Sequence, residues 1–434
     1  MGGILRYIFL ILSSAVWLAV GRFVLKLDSV IDLIHFASIP SAVGYLFIFK
    51  PKIQKNSFIS YSICFSFIAL IILIYFLAFA KAIPEVRINW LELPIALYFL
   101  TSIYLVLWLL DKFVNSVFFV LFKNLIKNKT VFTAARLTLR LGVLIFIVAP
   151  YLIALFVTHW VKFADAEKPV SLKNNEYSQI DFISSDGAKL KGWLISSQSH
   201  VSDSTVIIVP GRSAAKNLFL PYAKVFSENG YNVLLFDLRG NGGSSGHKYS
   251  FAVNEVNDVT AAVDFLRKDK PQLCNYIFGY GLNEGAAALI GAAAIDERFT
   301  AIVSDNATGY EISMPDWLND RLPNWAEKSF LQMTKTFVRI DVGREIWGAE
   351  GIYERISQIS PCPILFTNSI KNSKGNRLKT IEMFSKAREP KNLWLAPLSG
   401  NPNVYDIYFF NVLQTFEIGK SKQKIGNWRI SKSN

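Results

Sequence analysis

The 434-residue chain is 52% hydrophobic and only 18% charged, with a mean hydropathy of +0.30, a balance that argues against a purely soluble protein and leaves room for two or three domains. Its net charge of +13 is uneven: residues 1–161 hold 14 basic and 5 acidic side chains, residues 162–434 hold 32 and 28, and five of the latter basic residues lie unopposed from Lys420 onward. A basic excess confined to short segments between apolar runs excludes nucleic acid as the partner and follows the positive-inside bias of membrane proteins.

Five apolar stretches, at about 5–21, 30–49, 57–80, 93–110 and 141–161, each approach the roughly 20 residues that a spanning helix needs. The first is read as a retained helix, not a cleaved leader, because four more follow it. With the N-terminus inside, inner segments carry Arg6, Lys50, Lys52, Lys55, Lys112, Lys123, Lys127, Lys129, Arg136 and Arg140, and outer ones carry Arg22, Lys26, Lys81 and Arg87. An odd number of spans then places everything after residue 161 on the extracytoplasmic side. Asp32 and His35 stand one helical turn apart in the second stretch, where ionisable groups suggest function; the plainer expectation is that this stretch begins at the wet interface. Asp111 to Ile126 is too short to span again and reads as a surface helix.

Beyond Lys162 short β-rich runs alternate with helical ones, the pattern of a mostly parallel sheet with crossover helices. Gln179–Ser184 and Ala188–Ile195 read as a hairpin around a two-residue Asp186-Gly187 turn. Further strands are expected at Val206–Val209, Tyr231–Phe236, Tyr276–Tyr280, Ala301–Ser304, Ile364–Thr367 and Leu393–Ala396, with helices at about Tyr222–Glu228, Ala252–Lys268, Glu284–Ala294, Leu378–Ala387 and Val404–Phe416. Cys274 and Cys362 open the fifth and seventh of these strands, roughly 10 Å apart across one intervening strand and therefore expected as free thiols. The basic tail after residue 419 is expected to be disordered, or to touch an anionic membrane surface.

The ordered series Asp186-Gly187, Ile207 to Arg212, Phe236 to Ser244, Gly281-Leu282-Asn283-Glu284-Gly285 and Pro361 to Phe366 resembles the α/β-hydrolase superfamily on its prolyl-oligopeptidase and serine-aminopeptidase side, over about residues 178–416. The resemblance implies an α/β fold, a mostly parallel sheet with helices on both faces, following the all-α transmembrane region of about five helices. The domains are then 1–161, 162–419 with a cap insertion at about 308–358 bearing Trp317, Trp325, Phe330, Phe337 and Trp347, and the tail 420–434.

Such hydrolases need a nucleophile on a sharp strand-to-helix turn, an acid after a late strand and a histidine after the last strand, because a serine hydroxyl attacks only when an oriented imidazole takes its proton. The resemblance puts Asn283 at the nucleophile position, Asn372 at the acid position and Asn401 at the histidine position. The four histidines are His35, His159, His200 and His247, so none follows the elbow. Asn tolerates a positive φ better than most residues, so the turn is expected to persist without its chemistry.

The resemblance also implies backbone donors of an oxyanion hole near Arg212 and Glu284, able to hold a small carbonyl or anionic ligand. It makes Asp237 and Arg239 loop-shaping residues. Gly242 to Gly246 fits the letters G-x-S-x-G but lies in a loop, so an alternative catalytic set would be drawn from Ser245, Ser304, Asp305 and His247; Glu284 and Asp305 could also pair as carboxylates. No Cys or His pair has zinc spacing and no phosphate loop occurs, so neither metal nor cofactor is expected. The leading expectation is a membrane-anchored, catalytically inactive hydrolase-like module that binds a ligand or protein partner. The alternatives are a membrane serine hydrolase with a non-standard catalytic set, and a transport or lipid-handling protein using Asp32 and His35.

Overall fold

The protein is represented by a computed structural model that describes residues 15–18, 34–38, 86–88, 93–159, 163–165, 177–198, 202–212, 215–308, 311–312, 323–343, 348–396 and 402–432. The expected spans at 5–21, 30–49 and 57–80 fall almost wholly outside these residues, as do Asp32, His200, Trp317, Trp347 and Asn401. In chain order the described elements are α1 (Leu93–Phe122), α2 (Lys129–Thr158), β1 (Tyr177–Ile183), β2 (Lys189–Ile195), β3 (Ser204–Val209), α3 (Leu220–Glu228), β4 (Asn232–Phe236) and α4 (Glu255–Asp269). They continue with β5 (Tyr276–Leu282), α5 (Glu284–Ala293), β6 (Phe299–Asp305), α6 (Asn324–Val342), α7 (Gly348–Gln358), β7 (Ile364–Ser369), α8 (Lys374–Lys386), β8 (Lys391–Ala396) and α9 (Pro402–Lys432). A separate ribbon pairs Val86–Ile88 with Phe163–Asp165.

Two compact units result: one of Met1–Pro84, Asn89–Thr158 and Trp317–Glu345, the other of Glu85–Ile88, His159–Asp316 and Ile346–Asn434. In the first, Thr101–Phe122 and Lys129–Thr158 are long and apolar enough to cross a membrane. Among the described residues these two stand where five were expected along the N-terminal region. The predicted break at Leu110 does not occur, because α1 runs on through Phe122 and the charge at Asp111 is met by Arg140 of α2, Nη2 to Oδ1 at 2.6 Å. Apolar side chains such as Val120, Leu137 and Phe156 point outward, exposed at 77%, 65% and 66%. That is the inverse of a water-soluble helix pair. Helix α2 starts at Asn128, whose Oδ1 accepts from the Thr130 and Val131 N–H groups, and passes through a π turn at Leu144–Val148. Pro150 follows that turn; it has no N–H, and its ring would crowd the Phe146 carbonyl in a regular helix, so the ladder widens there.

His35 overturns the expectation of a wet position in this unit. It is 2% exposed, with Nδ1 2.7 Å from Ser102 Oγ and Nε2 2.6 Å from the Tyr151 hydroxyl. Of the insertion aromatics expected to cap a pocket, Trp325 stacks on Phe146 while remaining 65% exposed, and Phe337 meets Tyr151 edge-on, both contacts lying within this unit. The Thr158 hydroxyl donates to buried Asp341 of α6 at 2.6 Å.

The second unit is an eight-stranded sheet in the order β8-β7-β6-β5-β3-β4-β2-β1. Pairings among β3 to β8 are parallel, while β1 and β2 join antiparallel at the edge. Buried side chains alternate between faces along each strand. Ile207, Val209, Leu234 and Phe236 pack under α4, α5, α7 and α8, and Val206, Ile208, Val233 and Leu235 pack under α3 and α9. The β1–β2 loop runs over 184–188 and is not the predicted two-residue turn, because Ser184 takes the Gly187 and Ala188 N–H groups and closes a wider loop around positive-φ Gly187. Helix α9 continues through most of the tail expected to be disordered. Lys420 sits 4.7 Å over the Tyr231 ring and pairs with Glu417, while Gln423 accepts from Thr300, so tertiary contacts carry the helix onward. Cys274 and Cys362 are free thiols at the starts of β5 and β7, with β6 between them.

Candidate functional site

The site forms where parallel strands end and the chain must reverse into helices. Between β5 and α5 the reversal rests on one residue, Asn283, at φ 50° and ψ −117°. That conformation costs roughly 1–3 kcal/mol and persists only when its surroundings enforce it. Enforcement comes from both ends of the residue: its N–H donates to the Asp305 carbonyl at 2.9 Å, and its carbonyl accepts from Ala286 and Thr308. Gly285 completes the fit, since a Cβ there would lie 2.2 Å from the Val209 carbonyl oxygen. The side chain is tied as well: Asn306, at φ 52° on the end of β6, donates from Nδ2 to Asn283 Oδ1 at 2.8 Å.

Facing this turn is the loop after β3. The Arg212 N–H donates to Glu284 Oε2 at 3.2 Å, and the buried Asn241 side chain holds that loop by donating to the Gly211 carbonyl. The Arg212 guanidinium lies 5.3 Å over the Tyr249 ring, and a narrow cleft runs from Arg212 past Asn241, His247 and Lys248.

The loop after β4 is shaped by ion pairs centred on Asp237 and on Arg239. Asp237, fully buried, takes Lys216 Nζ at 2.8 Å and the N–H groups of Lys216 and Gly243. Arg239 bridges Asp258 at 2.6 Å and Asp186 at 2.7 Å. Behind them Glu255 is buried and accepts from the Ser250 N–H and hydroxyl. Burial, reinforced by the nearby Asp258 charge, pushes its carboxyl up to about 7 against the lowering effect of those bonds.

Sequence reasoning missed a hydroxyl chain behind the elbow. The Tyr408 hydroxyl donates to Asp305 Oδ2 at 2.9 Å and lies 2.5 Å from the Tyr280 hydroxyl. Burial raises the Asp305 carboxyl above its ordinary range even though these hydroxyls favour its charged form. A tyrosine in β5 and another in α9 carried no motif that would have joined them to Asp305.

The predicted residues separate into distinct environments. Asn283, Arg212 and Glu284 converge at the elbow. Asn372 lies past β7 and donates to Asn368 at 2.6 Å. Ser304 is 1% exposed inside β6 and neighbours Asp305 in sequence, so the two point to opposite faces of the sheet and cannot act on one substrate. Ser245 accepts from the Lys189 N–H beside β2, while His247 lines the cleft. Glu284 and Asp305 each keep a separate partner and do not pair.

Residues 200–345 match the family model described as serine aminopeptidase, S33. That match agrees with the sheet order and the strand-turn-helix elbow already in view. The second unit has the α/β-hydrolase fold. This α/β-hydrolase domain is similar to Thiohydrolase aneE of Aspergillus aculeatus, 34% identical over 155 residues that make up 33% of this chain and 48% of that protein. It is also similar to Polyketide transferase grgF of a Penicillium species, 31% identical over 130 residues, 29% of this chain and 44% of that one. The chain thus spans about half the length of these curated relatives. Among solved structures it is similar to the Pyrococcus furiosus esterase Pf2001, with 22% identity, 61% of this chain and 96% of that chain covered, and a TM-score of 0.43.

Proposed function

We propose that this protein is membrane-anchored with an extracytoplasmic α/β-hydrolase domain that binds a small carbonyl or anionic ligand at the elbow without serine hydrolysis. The observation that carries the reading is Asn283, an amide held at φ 50° where the family chemistry requires a hydroxyl. An amide nitrogen has no lone pair available for attack, and no histidine follows position 247 in the chain to serve as the general base. Asn372 and Asn401 at the other two positions support the same reading. What remains is a set of hydrogen-bond donors with no reacting group among them, which suits recognition. The apolar outward faces of α1 and α2 and the basic inner loops support membrane anchoring with the N-terminus inside.

A second reading, a membrane serine hydrolase with a non-standard catalytic set, is the one favoured by the relatives: they carry the names thiohydrolase and polyketide transferase. Ser245 with His247 in the loop after β4 is the set left to it once Ser304 is buried.

The deciding experiment is covalent labelling of the full-length, detergent-purified protein with a fluorophosphonate probe, beside an active hydrolase. Background labelling is expected. Stoichiometric labelling that disappears in Ser245→Ala overturns the binding reading in favour of the second. A phosphatase reporter, which needs disulfides that form only outside the cytoplasm, fused after Asn434 tests the sidedness; an expressed but inactive fusion reverses the proposed orientation.

A further inference from the structure

The elbow of this domain already holds a carboxylate, and that carboxylate is its own. Glu284 Oε2 accepts the Arg212 N–H at 3.2 Å, so the backbone donor of the loop after β3 is engaged by the residue next to the turn. The fit is close: a Cβ on Gly211 would lie 2.9 Å from the same oxygen and 3.2 Å from Asn283 Cβ, so the space between loop and elbow is filled by that side chain. Asn283 is exposed, and with Oδ1 engaged by Asn306 it presents its NH₂ group. A ligand therefore meets N–H donors here and needs an acceptor. The narrow cleft that shares Arg212 with this site has Arg239, His247 and Lys248 in its wall beside Glu255.

We infer that Glu284 is a built-in occupant of this donor pocket and that the ligand of the domain carries a carboxylate, which binds by displacing it. The inference rests on the binding reading given above and names the ligand class for that same site. A carboxylate is favoured over a neutral carbonyl because hydrogen bonds to ionised acceptors are roughly twice as strong as neutral ones, so only a charged group exchanges with Glu284 on equal terms. No bond is made or broken in the exchange. Glu284 swings to solvent as the ligand oxygen takes the Arg212 N–H, and the elbow backbone stays in place.

The probe is 4,4,4-trifluorobutyrate, a soluble short carboxylate read by ¹⁹F relaxation against the full-length protein in detergent, with 4,4,4-trifluorobutanol as the matched chain lacking the acid. Glu284→Ala removes the occupant, and Glu284→Asp keeps its charge but shortens its reach by one methylene. Both variants are expected to bind trifluorobutyrate at least five-fold more tightly than wild type, with trifluorobutanol unchanged. Affinity within two-fold of wild type in Glu284→Ala overturns the inference. Tightening in Glu284→Ala without tightening in Glu284→Asp also overturns it, since general charge repulsion then accounts for the effect. These outcomes are separate from failure of the binding reading, which shows as fluorophosphonate labelling of the wild-type protein.

Discussion

Asn306 Nδ2 donates to Asn283 Oδ1 at 2.8 Å, joining two positive-φ asparagines across the ends of β6 and β5. The bond fixes which end of the Asn283 amide faces outward, and it uses the atom that a serine would not have. Asn283→Ser therefore restores a hydroxyl at the elbow and loses this tie, while supplying no base to ionise that hydroxyl. Fluorophosphonate labelling of Asn283→Ser is expected to stay at the wild-type background; rapid stoichiometric labelling of Ser at 283 would reveal a base that the chain's histidines do not provide.

Lys216 and Asp237 form an ion pair at 2.8 Å with side chains 4% and 0% exposed. Removing one partner of such a pair leaves the other charged and buried, at a cost of about 3–5 kcal/mol. Asp237→Asn should thus lower the thermal midpoint of the second unit markedly, and Lys216→Met added to Asp237→Asn, which keeps a side-chain acceptor for the loop N–H groups, should recover part of the loss. A midpoint within a degree or two of wild type in Asp237→Asn would mean that the loop after β4 does not depend on this pair.

Glu255 is a buried acid raised to about 7, with desolvation the main cause and Asp258 adding to it. Its folded pKa lies above its unfolded value near 4.5, so between those values the folded state holds a proton that the unfolded chain has released. Stability from this group is greatest at low pH, falls as pH rises from about 4.5 to about 7, and is level beyond, a span on the order of 3 kcal/mol. Glu255→Gln should flatten that slope in denaturant unfolding followed across pH 4.5 to 8. Equal slopes in the two proteins would show that Glu255 ionises in place as freely as in the unfolded chain.

His35 bridges the Ser102 and Tyr151 hydroxyls at 2.7 and 2.6 Å in the first unit. A buried side-chain hydrogen bond contributes about 0.5–1.5 kcal/mol, and here two share one imidazole. Ser102→Ala and Tyr151→Phe should each destabilise the unit by about that amount in detergent unfolding. In a His35→Phe background their effects should be smaller than in wild type; fully additive losses would show that the hydroxyls do not act through this imidazole.

Much of this architecture was legible in the residues taken singly. Alternation of apolar side chains at period two and 3.6 is a local property, so the parallel strands, their crossover helices and the apolar helices of the first unit could be read from the chain. The elbow was legible through the resemblance that Gly281-Leu282-Asn283-Glu284-Gly285 carries, and the want of any histidine after residue 247 could be read directly. Tertiary structure alone decided what depends on partners far apart in sequence. The Glu284 carboxylate meets the Arg212 N–H across 72 residues, and His35 meets Tyr151 across 116. Arg140 lets α1 continue past Asp111, and Tyr231 under Lys420 lets α9 continue into a tail whose charge alone suggested disorder. Ser304 and Asp305 differ the other way, neighbours in the chain that the pleat of β6 sends to opposite faces. Local pattern sets the elements, whereas desolvation and hydrogen-bond geometry, which exist only once the chain is packed, set which of their groups face one another.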